Sequence, residues 1–116
     1  MAGIRQERLA ALLQRELGMI LQREASMRFG GHFITVTTVR ITPDLSLARV
    51  YLSFMPIASV GKPEEGLEMV QGEVGFIRKV LASKVAKHLR KMPDLRFLLD
   101  DSLDRYEEID DLLKGD

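Results

Sequence analysis

Residues 72–97 read Gly-Glu-Val-Gly-Phe-Ile-Arg-Lys-Val-Leu-Ala-Ser-Lys-Val-Ala-Lys-His-Leu-Arg-Lys-Met-Pro-Asp-Leu-Arg-Phe. At about 100° per residue, Val74, Ile77, Leu81, Val85, Leu89 and Met92 share one face, and Lys79, Lys84, Lys87, Arg90 and Lys91 fall on the other. The pattern predicts a helix with one buried side and a cationic ridge. Its predicted stop is Pro93, which has no amide hydrogen and whose ring crowds the preceding turn. From Gly75 to Arg96 there are seven basic residues, including Arg78 and Arg96, against one acid, Asp94. From Asp100 to Asp116 there are eight acids against two bases. The net charge of zero therefore hides a polarised chain, and the basic part suits a polyanionic partner.

Before the ridge, Pro63-Glu64-Glu65 opens another helix that reaches Gln71: proline suits the first helical position, and acids suit the positive end of the helix dipole. Further back, Phe33–Thr42 and Leu47–Met55 are rich in β-branched residues and alternate, which marks two strands. Thr42-Pro43-Asp44-Leu45-Ser46 between them is a turn, so the strands are expected to pair antiparallel. Residues 4–26 read as a long helix with Leu9, Leu13, Leu17, Ile20 and Leu21 at helical spacing, followed by a connection broken at Gly30-Gly31. Arg5 and Arg8 lie off that stripe, which fits either contact with a phosphate or a simply solvated first turn. After the ridge, Leu95–Leu99 is a short apolar run read as a third strand. Ser102 then caps an acidic helix over about 102–113, with Tyr106, Ile109, Leu112 and Leu113 as its apolar side. The order predicts an α+β domain, a three-stranded sheet packed by helices.

With 116 residues the chain is expected to form a single domain, 1–116, with a real core. It has no cysteine, so disulfides and thiolate chemistry are excluded. Its two histidines, His32 and His88, make a poor zinc set, and His88 reads as a surface or RNA-facing residue. Asp100, Asp101 and Asp104 fit a helix start better than a magnesium site. No nucleophile has an activating partner in view, so no catalytic residue, cofactor or metal is expected. No apolar run approaches the roughly 20 residues of a membrane helix, and the N-terminus does not read as a secretory signal.

Gly72-Glu73-Val74-Gly75 falls between two predicted helices, where Gly-x-x-Gly is the backbone clamp of the KH fold. Glu73 would repel a phosphate there, so the sequence favours a structural kink between helices. Gly75 is expected to need backbone freedom at that kink, and Gly72 to belong to the preceding helix.

The chain resembles the ribosome-binding factor A family over about Ile4 to Leu113. The resemblance is carried by Val39-Arg-Ile-Thr-Pro-Asp-Leu-Ser-Leu-Ala-Arg-Val-Tyr-Leu-Ser53, by Gly75-Phe-Ile-Arg78, and by Met92-Pro-Asp-Leu-Arg-Phe97 with Asp100-Asp-Ser102. It implies a type II KH-like fold, α-β-β-α-kink-α-β, in which a small-x-Gly kink replaces the Gly-x-x-Gly loop. That kink maps to Glu73, Val74 and Gly75, and the family's usual alanine is glutamate here. The resemblance further implies a cytoplasmic ribosome assembly factor that binds the free 30S subunit and its 16S rRNA during late maturation and rRNA processing. No catalysis, membrane or small-molecule substrate is implied, and a monomer is expected. The expected RNA-binding residues are Arg78, Lys79, Lys84, Lys87, Arg90 and Lys91, with Arg5 and Arg8. The acidic end is expected to pack on the domain and keep RNA off the face it covers. The alternative is a protein-interaction adaptor whose basic helix meets an acidic protein.

Overall fold

The computed structural model describes residues 2–55, 58–89 and 91–100. The expected acidic helix at about 102–113 lies outside the described residues.

The first helix, α1, runs Ala2–Arg23. Leu9, Leu13, Leu17, Ile20 and Leu21 on it are all buried, so the stripe read from the sequence is the core stripe. The helix does not continue to residue 26. The chain bends at Glu24 (φ −95°, ψ 4°), and Ala25–Arg28 forms a separate four-residue turn of helix, α2. Gly30 and Gly31 then take φ of 62° and 79°, a left-handed pair that side-chain-bearing residues adopt only with strain. Their reversal buries Phe29 and delivers the chain to the sheet.

Strands β1 (Ile34–Ile41) and β2 (Leu47–Phe54) pair antiparallel, and β3 (Asp94–Leu99) pairs parallel to β2, in the order β1-β2-β3. In β2, Ala48, Val50, Leu52 and Phe54 alternate inward without a break. In β1 the inward residues are Ile34, Val36, Val39 and Ile41, so one spacing is three rather than two. A bulge between Val36 and Thr38 absorbs the extra residue and keeps both valines in the core. Gln14 of α1 holds the bulge, donating from Nε2 to the carbonyls of Val36 (3.1 Å) and Thr37 (3.3 Å).

Between β2 and β3 run α3 (Pro63–Gly72) and α4 (Val74–Val85). Parallel pairing of β2 with β3 requires such a crossover. Ile77, Leu81 and Val85 of α4 are buried, as their spacing predicts. The helix does not extend to Met92. It tightens into a 3-10 turn at Ala86–His88, and Leu89 is extended (φ −132°, ψ 136°). Pro93 therefore does not end it. The chain must come back to lay Asp94 beside Leu47, and tertiary demand overrides the good helix formers in 86–92.

α1, α3 and α4 cover one face of the sheet, and every fully buried strand side chain points into that layer. This is an α+β, type II KH-like arrangement: helix, hairpin, two helices meeting at a kink, and a parallel third strand.

Candidate nucleic-acid interface

The predicted ridge is not one stripe. Lys79 and Lys84 are exposed on α4. Five residues at 100° each put them about 140° apart around the axis. Lys87 is exposed in the 3-10 turn, and Lys91 is exposed on the irregular chain beyond it. Arg90 lies outside the described residues. Arg78 is committed to its own chain: Nη2 donates to the Met92 carbonyl at 3.0 Å, Nε donates to the Pro93 carbonyl at 3.3 Å, and Nη2 stands 3.4 Å from an Asp94 carboxylate oxygen. It braces the non-helical approach to β3.

What the fold brings together is a cleft at one end of the sheet. The first turns of α1, the β1–β2 turn and the chain leaving α4 converge there around two lobes of about 320 and 410 Å³. Both lobes share Arg5, Leu45, His88 and Leu89. Arg8 stands on the first lobe, over a floor of Leu9 and Leu12. Lys87, Lys91 and Asp44 stand on the second. Four of the predicted cations, Arg5, Arg8, Lys87 and Lys91, thus meet around one concavity although more than 75 residues separate the outermost two. α1 has no acid in its first turn to offset the positive end of its dipole.

The β1–β2 turn that walls the cleft is rigidly built. Asp44 Oδ1 accepts from Thr42 Oγ1 (2.8 Å), Ser46 Oγ (2.7 Å) and the Ser46 amide (3.1 Å). The hydrogen bond from Ser46, then that from Thr42, lowers its carboxyl from 3.8 to about 2. The next residue, Leu45, has φ 61°. A leucine in the left-handed region is strained. It is held there by its amide, which donates a hydrogen bond to the Thr42 carbonyl (2.8 Å), with its side chain against the core and both lobes.

The helix kink is at Glu73 (φ −106°, ψ 16°), between the last residue of α3, Gly72, and the first of α4, Val74. Gly75 lies inside α4 with no positive φ, and a Cβ there would meet nothing within 4 Å. The expected need for backbone freedom at Gly75 is therefore corrected: the turn is made at a residue that has a side chain. The Glu73 carboxylate is paired with Arg28 Nη1 at 3.0 Å. Arg28 also meets Glu24 at 3.1 Å and lies 3.5 Å over the Phe76 ring. This arginine ties the α1–α2 corner to the kink and neutralises the acid that stands there. Sequence reasoning missed it because 45 residues separate the partners and no local spacing signals the contact.

Among the described residues no group of three or more His, Asp or Glu is placed to hold a metal ion. No helix among them is long and apolar enough to cross a membrane.

The family model described as ribosome-binding factor A matches residues 5–113. The ribosome-binding factor A of Pelodictyon phaeoclathratiforme is 45% identical over 115 residues, covering 97% of this chain and 91% of that protein. The crystal structure of ribosome-binding factor A from Thermus thermophilus is similar with a TM-score of 0.67 and 26% identity, over 81% of this chain and 94% of that one. A homology model of the Thermus thermophilus factor, fitted into a cryo-EM map of a 30S complex of that factor, gives a TM-score of 0.61 at 27% identity, over 77% of this chain and 88% of that one.

Proposed function

The chain belongs to the ribosome-binding factor A family, and from that premise we propose that it binds the free 30S subunit and its 16S rRNA late in maturation and assists rRNA processing by binding, not by turnover. The observation that carries this reading is the gathering of Arg5, Arg8, Lys87 and Lys91 around one leucine-floored cleft. Lysine and arginine there neutralise backbone phosphates, releasing counterions and giving affinity that falls with salt. Such contacts position the protein without reading sequence. The apolar floor and His88 add a surface on which an unstacked base rests. The fitted 30S complex of the Thermus thermophilus factor supports a small-subunit partner. We read the chain as one KH-like RNA-binding domain over 1–116, monomeric and cytoplasmic, where such subunits assemble. Lys79 and Lys84 extend the cationic surface along α4, and Arg90 belongs to the same basic segment of sequence.

The test replaces Arg5, Arg8, Lys87 and Lys91 together by glutamine. All four side chains are exposed, so the fold should hold. Binding to a 16S rRNA fragment should weaken, and the slope of log K against log salt should fall by roughly 3 to 4 units, about 0.9 for each phosphate no longer neutralised. Unchanged affinity and slope would remove the cleft from the interface. Capture of small subunits that survives nuclease would indicate a protein partner instead.

A further inference from the structure

We propose that the open face of the sheet carries a second RNA-phosphate surface, the row Arg40–Arg49–Arg96; this rests on the RNA-binding reading above. The register places Arg40 of β1 opposite Arg49 of β2, and Arg49 opposite Arg96 of β3. Three arginines therefore stand abreast on neighbouring strands about 4.8 Å apart. All three are exposed, and none has a hydrogen bond or ion pair among the described residues. Like charges directly opposite one another destabilise a sheet. A row of three works against folding, and nothing in the packing of the described residues requires it, because this face is away from the helices among them. Arginine's planar fork suits phosphate oxygens, and three forks in line suit successive phosphates of one strand.

The position of the row favours RNA as its occupant. Arg40 lies two residues before Thr42, and Arg96 lies two after Asp94, so the row borders the same end of the sheet as the cleft. At about 3.3 Å per residue, a strand seated in the cleft has only to cross the β1–β2 turn to reach it. The acids nearby have partners: Asp94 pairs with Arg78, and Asp44 Oδ1 is held by its own turn. At the far end of the face, Asp100 accepts from Thr37 Oγ1. The other polyanion in the chain is the acid-rich segment 101–116, which follows Asp100 in sequence.

The experiment replaces Arg40, Arg49 and Arg96 by threonine in the full chain, and titrates a 16S rRNA fragment at several salt concentrations beside the cleft variant. The salt slope should fall by about 2 to 3 units and affinity at 100 mM salt by tenfold or more. Stability in urea should hold or rise, since the like-charge row is gone. A merely structural role would lower stability and leave the slope alone. If the cleft variant loses affinity and the threonine variant does not, the row is only surface and this inference falls alone. If the parent itself does not bind the fragment, both readings fall. The series is repeated with Glu107, Glu108, Asp110 and Asp111 changed to their amides. If the arginines matter only in that background, the acidic segment holds the row in the native chain, and the proposal is overturned.

Discussion

Asp44 is exposed, yet three donors meet its Oδ1 and hold its carboxyl down to about 2. A carboxyl that is more acidic folded than unfolded stabilises the fold above its ordinary value, and the contribution fades as pH falls through the folded value. The window here runs from 3.8 down to about 2. Asp44→Asn keeps an Oδ1 acceptor for the turn but no charge. Urea midpoints along an acid series should show parent and variant differing by a constant small amount above about pH 4 and converging toward pH 2. A difference independent of pH would mean that the turn does not use the charge. The turn itself is legible in Pro43 and Asp44, whose backbone preferences are local. Leu45 in the left-handed region is not legible, because its conformation is imposed by the Thr42–Leu47 closure and by the hydrophobic contacts its side chain reaches.

Two glycines show what each element tolerates. Gly66 in α3 is buried against the sheet, and an added Cβ would lie 2.5 Å from Phe54 Cε2 and 3.1 Å from His32 Cγ. His32 is itself buried, edge-on to Phe54 with ring centroids 5.6 Å apart, so neither ring yields easily. Gly66→Ala should cost about 1–3 kcal/mol. Gly75→Ala should instead leave stability unchanged or raise it by up to about 1 kcal/mol, the glycine penalty of a helix interior, because Gly75 lies in the first turn of α4 and a methyl group there meets open space. Thermal or urea unfolding of both variants checks the contrast, and a loss at Gly75 would restore the tight kink the sequence suggests. The apolar stripes of α1 and α4 and the alternation in β2 were readable, since periodicity reports which side is buried. The bulge was present as the three-residue step from Val36 to Val39, a signal visible once strict alternation is not assumed. The end of α4 was not readable. Residues 86–92 are mostly good helix formers, and what stops them is the parallel register of β3, a constraint outside the segment.

Across the whole molecule, the cations are dispersed in sequence and gathered by topology. Arg5 and Arg8 open the chain, Arg40 and Arg49 sit in the hairpin, and Lys87, Lys91 and Arg96 follow α4, yet all border one end of the sheet. Charge counting along the chain finds the segment after Gly75 and misses the hairpin arginines, because register alone aligns them. The same counting leaves seven acids between Asp100 and Asp111, enough to bring the net charge to zero. A neutral total limits indiscriminate attraction to RNA, while under the proposed function the local cationic end binds where several phosphates are presented together. Changing Glu107, Glu108, Asp110 and Asp111 to amides should therefore strengthen binding to an unrelated structured RNA. The gain should be largest near 0.01 M salt, where the screening length is about 30 Å, and small near 0.15 M, where it is about 8 Å. Filter binding at the two concentrations measures it. Equal affinity of parent and variant at the lower salt would mean that the acids take no part in RNA selection, and that discrimination rests on the geometry of the cationic end alone.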